Sequence, residues 1–335
     1  MFALEFLIFA IVLIFFSYLA KRFGVVDFPN SRKIHNGMVP LIGGVGLIFS
    51  VTVLSFFFQL IEEDLIVVFI GVWIVLLFGF MDDLKPSHWS LRVISQIFAS
   101  IIIISILGFD IKTIGSFGPF HEISLGIFSL PITLIAIVGL TNSINLLDGI
   151  DGLAASQVLI VLLYLILKID NESYLPILYS ISLGLVTFLL FNLSNSYKIF
   201  LGDAGSLSLG FLLAWFLIIF SNHNIIEKEL VVWLVGVPIF DTLSVIIYRY
   251  SQNREIFSPD KSHLHHAINH KFNSQKITLL IITSISLALF IIGKIIVDNI
   301  PNYSYLLFSI MFYFYYSVLR RKLWCPEPES NRHGV

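Results

Sequence analysis

The stretch Thr141–Leu153, TNSINLLDGIDGL, sets Asn142, Asn145, Asp148 and Asp151 three residues apart at the end of an apolar run. At this spacing, amide and carboxylate groups occupy adjoining parts of one helical face. Their oxygens are hard donors, suited to magnesium and to the hydrogen-bonding groups of a nucleotide. Gly149 and Gly152 mark where the helix should end. The competing use is a polar turn between two apolar segments.

Other acids stand in comparable places. Asp82-Asp83 closes another apolar run, with Lys85 just beyond. Negative charge is disfavoured at a helix C-terminus, so this pair calls for a compensating cation. It either positions a metal-bound or phosphorylated substrate, with Lys85 on a phosphate, or is a solvated helix stop. Asp203 lies in Gly202-Asp203-Ala204-Gly205-Ser206, just before a further apolar run. There it caps the coming helix or, beside the other acids, ligates a Mg2+ ion shared with a diphosphate, Mn2+ being the alternative ion. The segment around Phe257–His266 combines Asp260, Lys261, His263, His265 and His266, with Arg254 upstream. His263 and His266 are one helical turn apart, a spacing that zinc ligands use. No cysteine accompanies them, so contacts to a sugar diphosphate fit better, a merely solvated histidine loop being the remaining alternative. Asp241 lies inside an apolar run just after Pro238, which is expected to kink the helix. An intramembrane carboxylate there serves a site or pairs with a neighbouring helix. Arg32, Lys33 and His35 either hold a lipid phosphate at headgroup level or simply form a topogenic patch.

These residues need a scaffold, and composition says which. The 335 residues are 57% hydrophobic and 13% charged, with a mean hydropathy of +0.92. That is an all-α, polytopic integral membrane protein. About eleven runs are long enough to cross roughly 30 Å of hydrocarbon: 2–20, 41–60, 65–81, 92–108, 129–147, 153–168, 174–193, 204–221, 229–248, 277–297 and 302–319. Residues 1–320 thus form one multispan domain, and the Pro/Glu-rich tail 321–335 is expected to be disordered. All basic residues except Lys112, Lys168, Lys228 and Lys294 fall in one alternating set of loops. The positive-inside rule makes that set cytoplasmic, the N-terminus external and the C-terminus internal. Asp82-Asp83, the Asn/Asp stretch, Asp203 and the histidine-rich segment share this cytoplasmic side. A solute pathway would instead place polar groups at several depths, which weighs against a transporter. A net charge of −2 gives no reason to expect a nucleic-acid partner. The lone Cys325 excludes an internal disulfide framework and a Cys-based zinc site.

Taken together, five blocks in order carry a resemblance: Asp27, Pro29, Arg32-Lys33, His35, Pro40 and Gly43-Gly44; then Asp82-Asp83; then Asn142, Asn145 and Asp148-Gly-Ile-Asp151-Gly-Leu; then Gly202-Asp203-Ala-Gly-Ser206; then Asp260 with His263-Leu-His265-His266. The series, spanning about residues 21–270, resembles the polyprenyl-phosphate N-acetylhexosamine-1-phosphate transferases. Its His-x-His-His form is similar to the bacterial undecaprenyl-phosphate GlcNAc-1-phosphate branch, which starts O-antigen, common-antigen or teichoic-acid synthesis; the MurNAc-pentapeptide branch carries three consecutive histidines. One departure is Pro86, where the GlcNAc branch often continues Asp-Asp-x-x-Asp. The resemblance implies an enzyme of the bacterial inner membrane that takes a UDP-sugar donor and undecaprenyl phosphate in the lipid, and releases UMP. It also implies a homodimer. Carried over, Asp203 is the Mg2+ ligand with Asn145 a second. Asp82 or Asp83 orients or deprotonates the lipid phosphate. Asn142 and Asp151 contact the nucleotide, and Asp148 serves nucleotide or metal. His263, His265 and His266, with Arg254, grip the diphosphate and sugar. Other UDP-sugars, of fucosamine or quinovosamine type or UDP-MurNAc-pentapeptide, are the alternative donors. A CDP-alcohol phosphotransferase would need an arginine where Ser156 follows Asp151-Gly152-Leu153-Ala154-Ala155.

Overall fold

A computed structural model describes residues 2–28, 37–120, 122–169, 173–255 and 262–320. Along the chain run α1 (Phe2–Phe23), α2 (Gly43–Phe58), α3 (Glu63–Leu84), α4 (Trp89–Leu107), α5 (Ser129–Leu147), α6 (Leu153–Lys168) and α7 (Leu175–Asn192). There follow α8 (Gly202–Asn222), α9 (Lys228–Leu234), α10 (Gly236–Ser251), α11 (Leu264–Phe272), α12 (Gln275–Asn299) and α13 (Ser304–Phe314). A short antiparallel pair, β1 (Val26–Asp27) with β2 (Val39–Pro40), precedes α2. Among the described residues, seven helices are long and apolar enough to cross a membrane, and α9 with α10 makes an eighth if the bent pair is one span. The protein is therefore helical and polytopic. The basic segment with Arg32, Lys33 and His35, the residues Asp260 and Lys261, and the tail 321–335 lie outside the described residues.

The bundle is built around α8, 94% buried over its span. Lipid tails are as apolar as leucine side chains, so burial from water does not drive helices together within a bilayer; close packing of small residues does. Three neighbours meet α8 in this way. A Cβ on Gly44 of α2 would lie 2.0 Å from the Gly205 Cα, and one on Gly79 of α3 would lie 2.7 Å from the Ala204 Cα. On α8 itself, a Cβ at Gly210 would lie 2.9 Å from the Thr141 Cα of α5. Backbones touch at these points, which brings the ends of α3 and α5 to the start of α8. The segment before α8 is fixed as well: Gly43 and Gly44 donate to the carbonyls of Phe200 and Leu201, at 2.9 and 3.0 Å.

One element departs from the sequence expectation. The run 229–248 is not one helix kinked just before Asp241. It breaks at Val235 into α9 and α10, bent by 70°. Pro238 sits in the first turn of α10, where its ring and missing N–H stop a helix from continuing through it. The break therefore falls one turn earlier than the proline.

Candidate active site

Two carboxylates in the last turn of α3 face the first turn of α8. Asp83 accepts from the backbone N–H groups of Asp203 and Ala204, at 2.8 and 3.0 Å. It thus satisfies two of the free donors at the α8 N-terminus. Gly202 is required at this junction. Its φ is +76°, and a Cβ would come within 2.7 Å of the Asp83 carboxylate. Asp82 turns the other way. Its Oδ1 accepts from the N–H and hydroxyl of Ser87, both at 2.6 Å, and its Oδ2 lies 3.3 Å from Arg92 Nη1. The same Arg92 nitrogen, on α4, donates to Asp203 Oδ2 at 3.2 Å. From α5, Asn145 Nδ2 donates to Asp203 Oδ1 at 2.7 Å and to the Ser206 hydroxyl at 2.8 Å. Asp203 is thus held between α4 and α5, and it does not cap its own helix.

The Asn/Asp stretch ends α5 as expected, with Asp148 at the C-cap and Gly152 in the left-handed region at φ +75° before α6. The three-residue steps therefore share a helical face only through Asn145. Asn142 donates to Gln96 Oε1 and to the Val138 carbonyl, both at 2.8 Å. Asp151, out in the turn, pairs with Lys198 at 2.5 Å. Burial, followed by the charges of Asp203, Asp83 and Asp151, pushes the Asp148 carboxyl well above the usual carboxylate range. Four acids thus feel one another's charge here.

The histidine segment reaches the same turn. The His265 ring rests against Gly149, and a Cβ there would lie 2.3 Å from its Nε2. Both His265 ring nitrogens are buried with no hydrogen-bond partner among the described residues. Burial, then the neighbouring His266 charge, pushes this imidazole down to about 3, so it is neutral at physiological pH. His265 stacks on His263 with centroids 5.8 Å apart and packs on His266 at 4.1 Å.

The structure therefore brings Asp82, Asp83, Asn145, Asp148 and Asp203 together, with His265 at their edge. Lys85 is exposed as the C-cap of α3, and Arg254 is exposed with its N–H on the Arg249 carbonyl. The cation that α3 needs is Arg92, which the sequence reading missed along with Lys198. The signal for Arg92 was available: a paired acid at a helix C-terminus, followed by a lone arginine near the start of the next apolar run. As for a metal, no three His, Cys, Asp or Glu side chains among the described residues are gathered tightly enough to hold an ion. Any ion at Asp203 would need substrate oxygens or water to complete its shell.

The geometry defines a membrane-embedded helical protein with an acidic, amide-lined site at one end of its bundle. The model of glycosyl transferase family 4 matches residues 65–221, the segment that supplies those acids and Asn145. The chain is 27% identical over 333 residues to the undecaprenyl-phosphate alpha-N-acetylglucosaminyl 1-phosphate transferase of Escherichia coli K12, covering 95% of this chain and 90% of that protein. It is 28% identical over 319 residues to the transferase of the same name from Yersinia pestis, covering 91% and 86%. A probable undecaprenyl-phosphate N-acetylglucosaminyl 1-phosphate transferase of Bacillus subtilis is 31% identical over 277 residues, covering 79% and 75%. The chain belongs to glycosyl transferase family 4 and is a transferase.

Proposed function

We propose that this chain transfers GlcNAc-1-phosphate from UDP-GlcNAc to undecaprenyl phosphate. The observation that carries the reading is the convergence of Asp82, Asp83, Asn145 and Asp203 inside the segment matched by the family. A lipid-phosphate oxygen attacks the sugar-linked phosphorus in a single displacement. The bond from that phosphorus to the bridging oxygen breaks, and UMP leaves with the electron pair. Two anions must meet, so neutralising charge and aligning the reactants are the main tasks.

Asp203, the Asn145 carbonyl and Asp148 would hold Mg2+ or Mn2+, for which their hard oxygens are suited. When bound, the ion would offset the diphosphate's negative charge. Asp82 and Asp83 orient the lipid phosphate, which is already largely ionised. Arg92, between Asp82 and Asp203, keeps those carboxylates in register. Asn142 and Asp151 contact the nucleotide, with Lys198 setting the position of Asp151. His263, His265 and His266, with Arg254 and Asp260, take the sugar and diphosphate. Arg32, Lys33 and His35 receive the lipid phosphate at headgroup level, and Lys85 a further phosphate oxygen.

The proposed topology has eleven spans, an external N-terminus and a cytoplasmic active site in the bacterial inner membrane. The shorter apolar helices α2 and α6, together with α13, support the higher count. The bias of basic loops supports the orientation. The product would start a cell-envelope polysaccharide, with the enzyme acting as a homodimer.

The test is release of radiolabelled UMP from detergent-purified protein given undecaprenyl phosphate and magnesium. UDP-GlcNAc, UDP-GalNAc and UDP-MurNAc-pentapeptide are supplied in parallel. Lipid-dependent release with UDP-GlcNAc alone is expected. Release with another donor replaces the sugar, and no release from folded protein overturns the substrates.

A further inference from the structure

Asp241 is a carboxylate on α10, 1% exposed. Its two oxygens have separate uses. Oδ1 accepts from the Leu264 N–H at 2.8 Å, capping the start of α11. Oδ2 lies 2.8 Å from Nδ1 of His263, itself 4% exposed. Capping requires one oxygen, which an asparagine or serine supplies as well. A buried charge is costly unless paired and fully hydrogen-bonded, so the second oxygen marks a use beyond the cap. A carboxylate only accepts, so Nδ1 of His263 carries the proton and Nε2 is left on the far edge of the ring. From His263 the contact continues to the stacked His265 ring and on to Gly149, beside Asp148.

We propose that Asp241 is a positioning residue of the transfer site: it fixes the tautomer of His263 and the register of α11 that lays His265 on the Asp148–Gly149 turn. This rests on the transferase reading above and extends it to a residue that touches no substrate. Removing a carboxylate that orients a site histidine typically costs about 10- to 100-fold in activity. The informative change is Asp241→Asn. Its carbonyl still caps Leu264 while its NH2 faces His263, which forces the proton onto Nε2.

The experiment uses full-length protein carrying 15N-labelled histidine in detergent at alkaline pH. His263→Gln assigns the signal. The wild type is expected to show a protonated Nδ1, and Asp241→Asn a protonated Nε2. Alongside, UMP release should show kcat reduced about 10- to 100-fold, with KM for UDP-GlcNAc within about twofold and the melting temperature nearly unchanged. A wild-type His263 with unprotonated Nδ1 overturns the proposal without recourse to any variant. An exchanged tautomer with unchanged kcat overturns it too, leaving Asp241 as a cap. If wild-type protein turns over no donor, the transferase reading fails, while the nitrogen shifts still decide the His263 geometry.

Discussion

The two ends of the bundle handle charge differently. At the end formed by the α3 and α5 C-termini and the α8 N-terminus stand Asp82, Asp83, Asp148, Asp151 and Asp203, with Arg92 and Lys198 as their cations among the described residues. At the opposite end, Glu122, Glu227 and Asp298 each have a lysine, and the neighbouring Glu229 accepts from the Ser116 N–H at 2.6 Å. Lys228 pairs with Glu122 at 2.5 Å, Lys168 and Lys294 flank Glu227 at 3.1 and 3.6 Å, and Lys294 also reaches Asp298. Pairing with Lys228 holds the Glu122 carboxyl below its ordinary range. Burial works to raise Glu227, but its own backbone N–H and then Lys168 and Lys294 hold it below its range, while burial drives Asp148 above. A balanced cluster needs nothing more. An acidic surplus in a partly buried place is costly, and it persists where a cationic species completes it.

The largest expected effect comes from removing the centre of the surplus. Asp203→Asn should lower UMP release about a thousandfold while the protein stays folded by circular dichroism. Next is Gly79→Ala, which pushes α3 off Ala204. Overpacking costs about 1–3 kcal/mol, and a displacement of about 1 Å at the acid pair should cost about 100-fold in kcat.

A smaller effect reads the surplus directly. The raised Asp148 value means that the native state binds a proton which the unfolded chain has already released. Stability of metal-free protein should therefore fall as pH rises from about 4, the ordinary aspartate value, towards the raised one. Asp148→Asn should flatten that slope in thermal melts. Magnesium should oppose the slope in the wild type, by about 2.7 kcal/mol at a hundred times its Kd.

The smallest effect belongs to the balanced end. Glu227→Gln leaves Lys168 without its carboxylate partner and Lys294 with Asp298 alone, yet partly exposed pairs are worth about 0–1 kcal/mol. Activity should stay within about twofold of wild type and the melting temperature within about 2 °C. A large loss of activity there would break the contrast between the two ends.

Much of the site was legible because its residues are local in sequence. Asp82-Asp83, Asn145, Asp148 and Asp203 each announce themselves at the edge of an apolar run, where a polar or charged side chain stands out. Their convergence was legible only through the order of the blocks. The pairings were not, because they cross between helices. Nothing in the local sequence shows that Asp83 meets the free N–H groups of α8 across Gly202. Asp241 reads equally as a site residue and a structural partner until His263 is seen against it. The break at Val235 was missed because hydropathy is blind to direction: the run stays apolar through a 70° bend.

The burial of α8 bears on how the enzyme responds to its membrane. Helices exposed to lipid, such as α1 and α12 with 17% and 28% of their spans buried, must match the thickness of the bilayer by tilting or sinking. α8 is shielded from that demand by its neighbours, and Asp203 is anchored to it. Reconstitution into lipids of different acyl length should therefore tilt the periphery and leave the acidic end in register, giving a turnover rate nearly independent of membrane thickness.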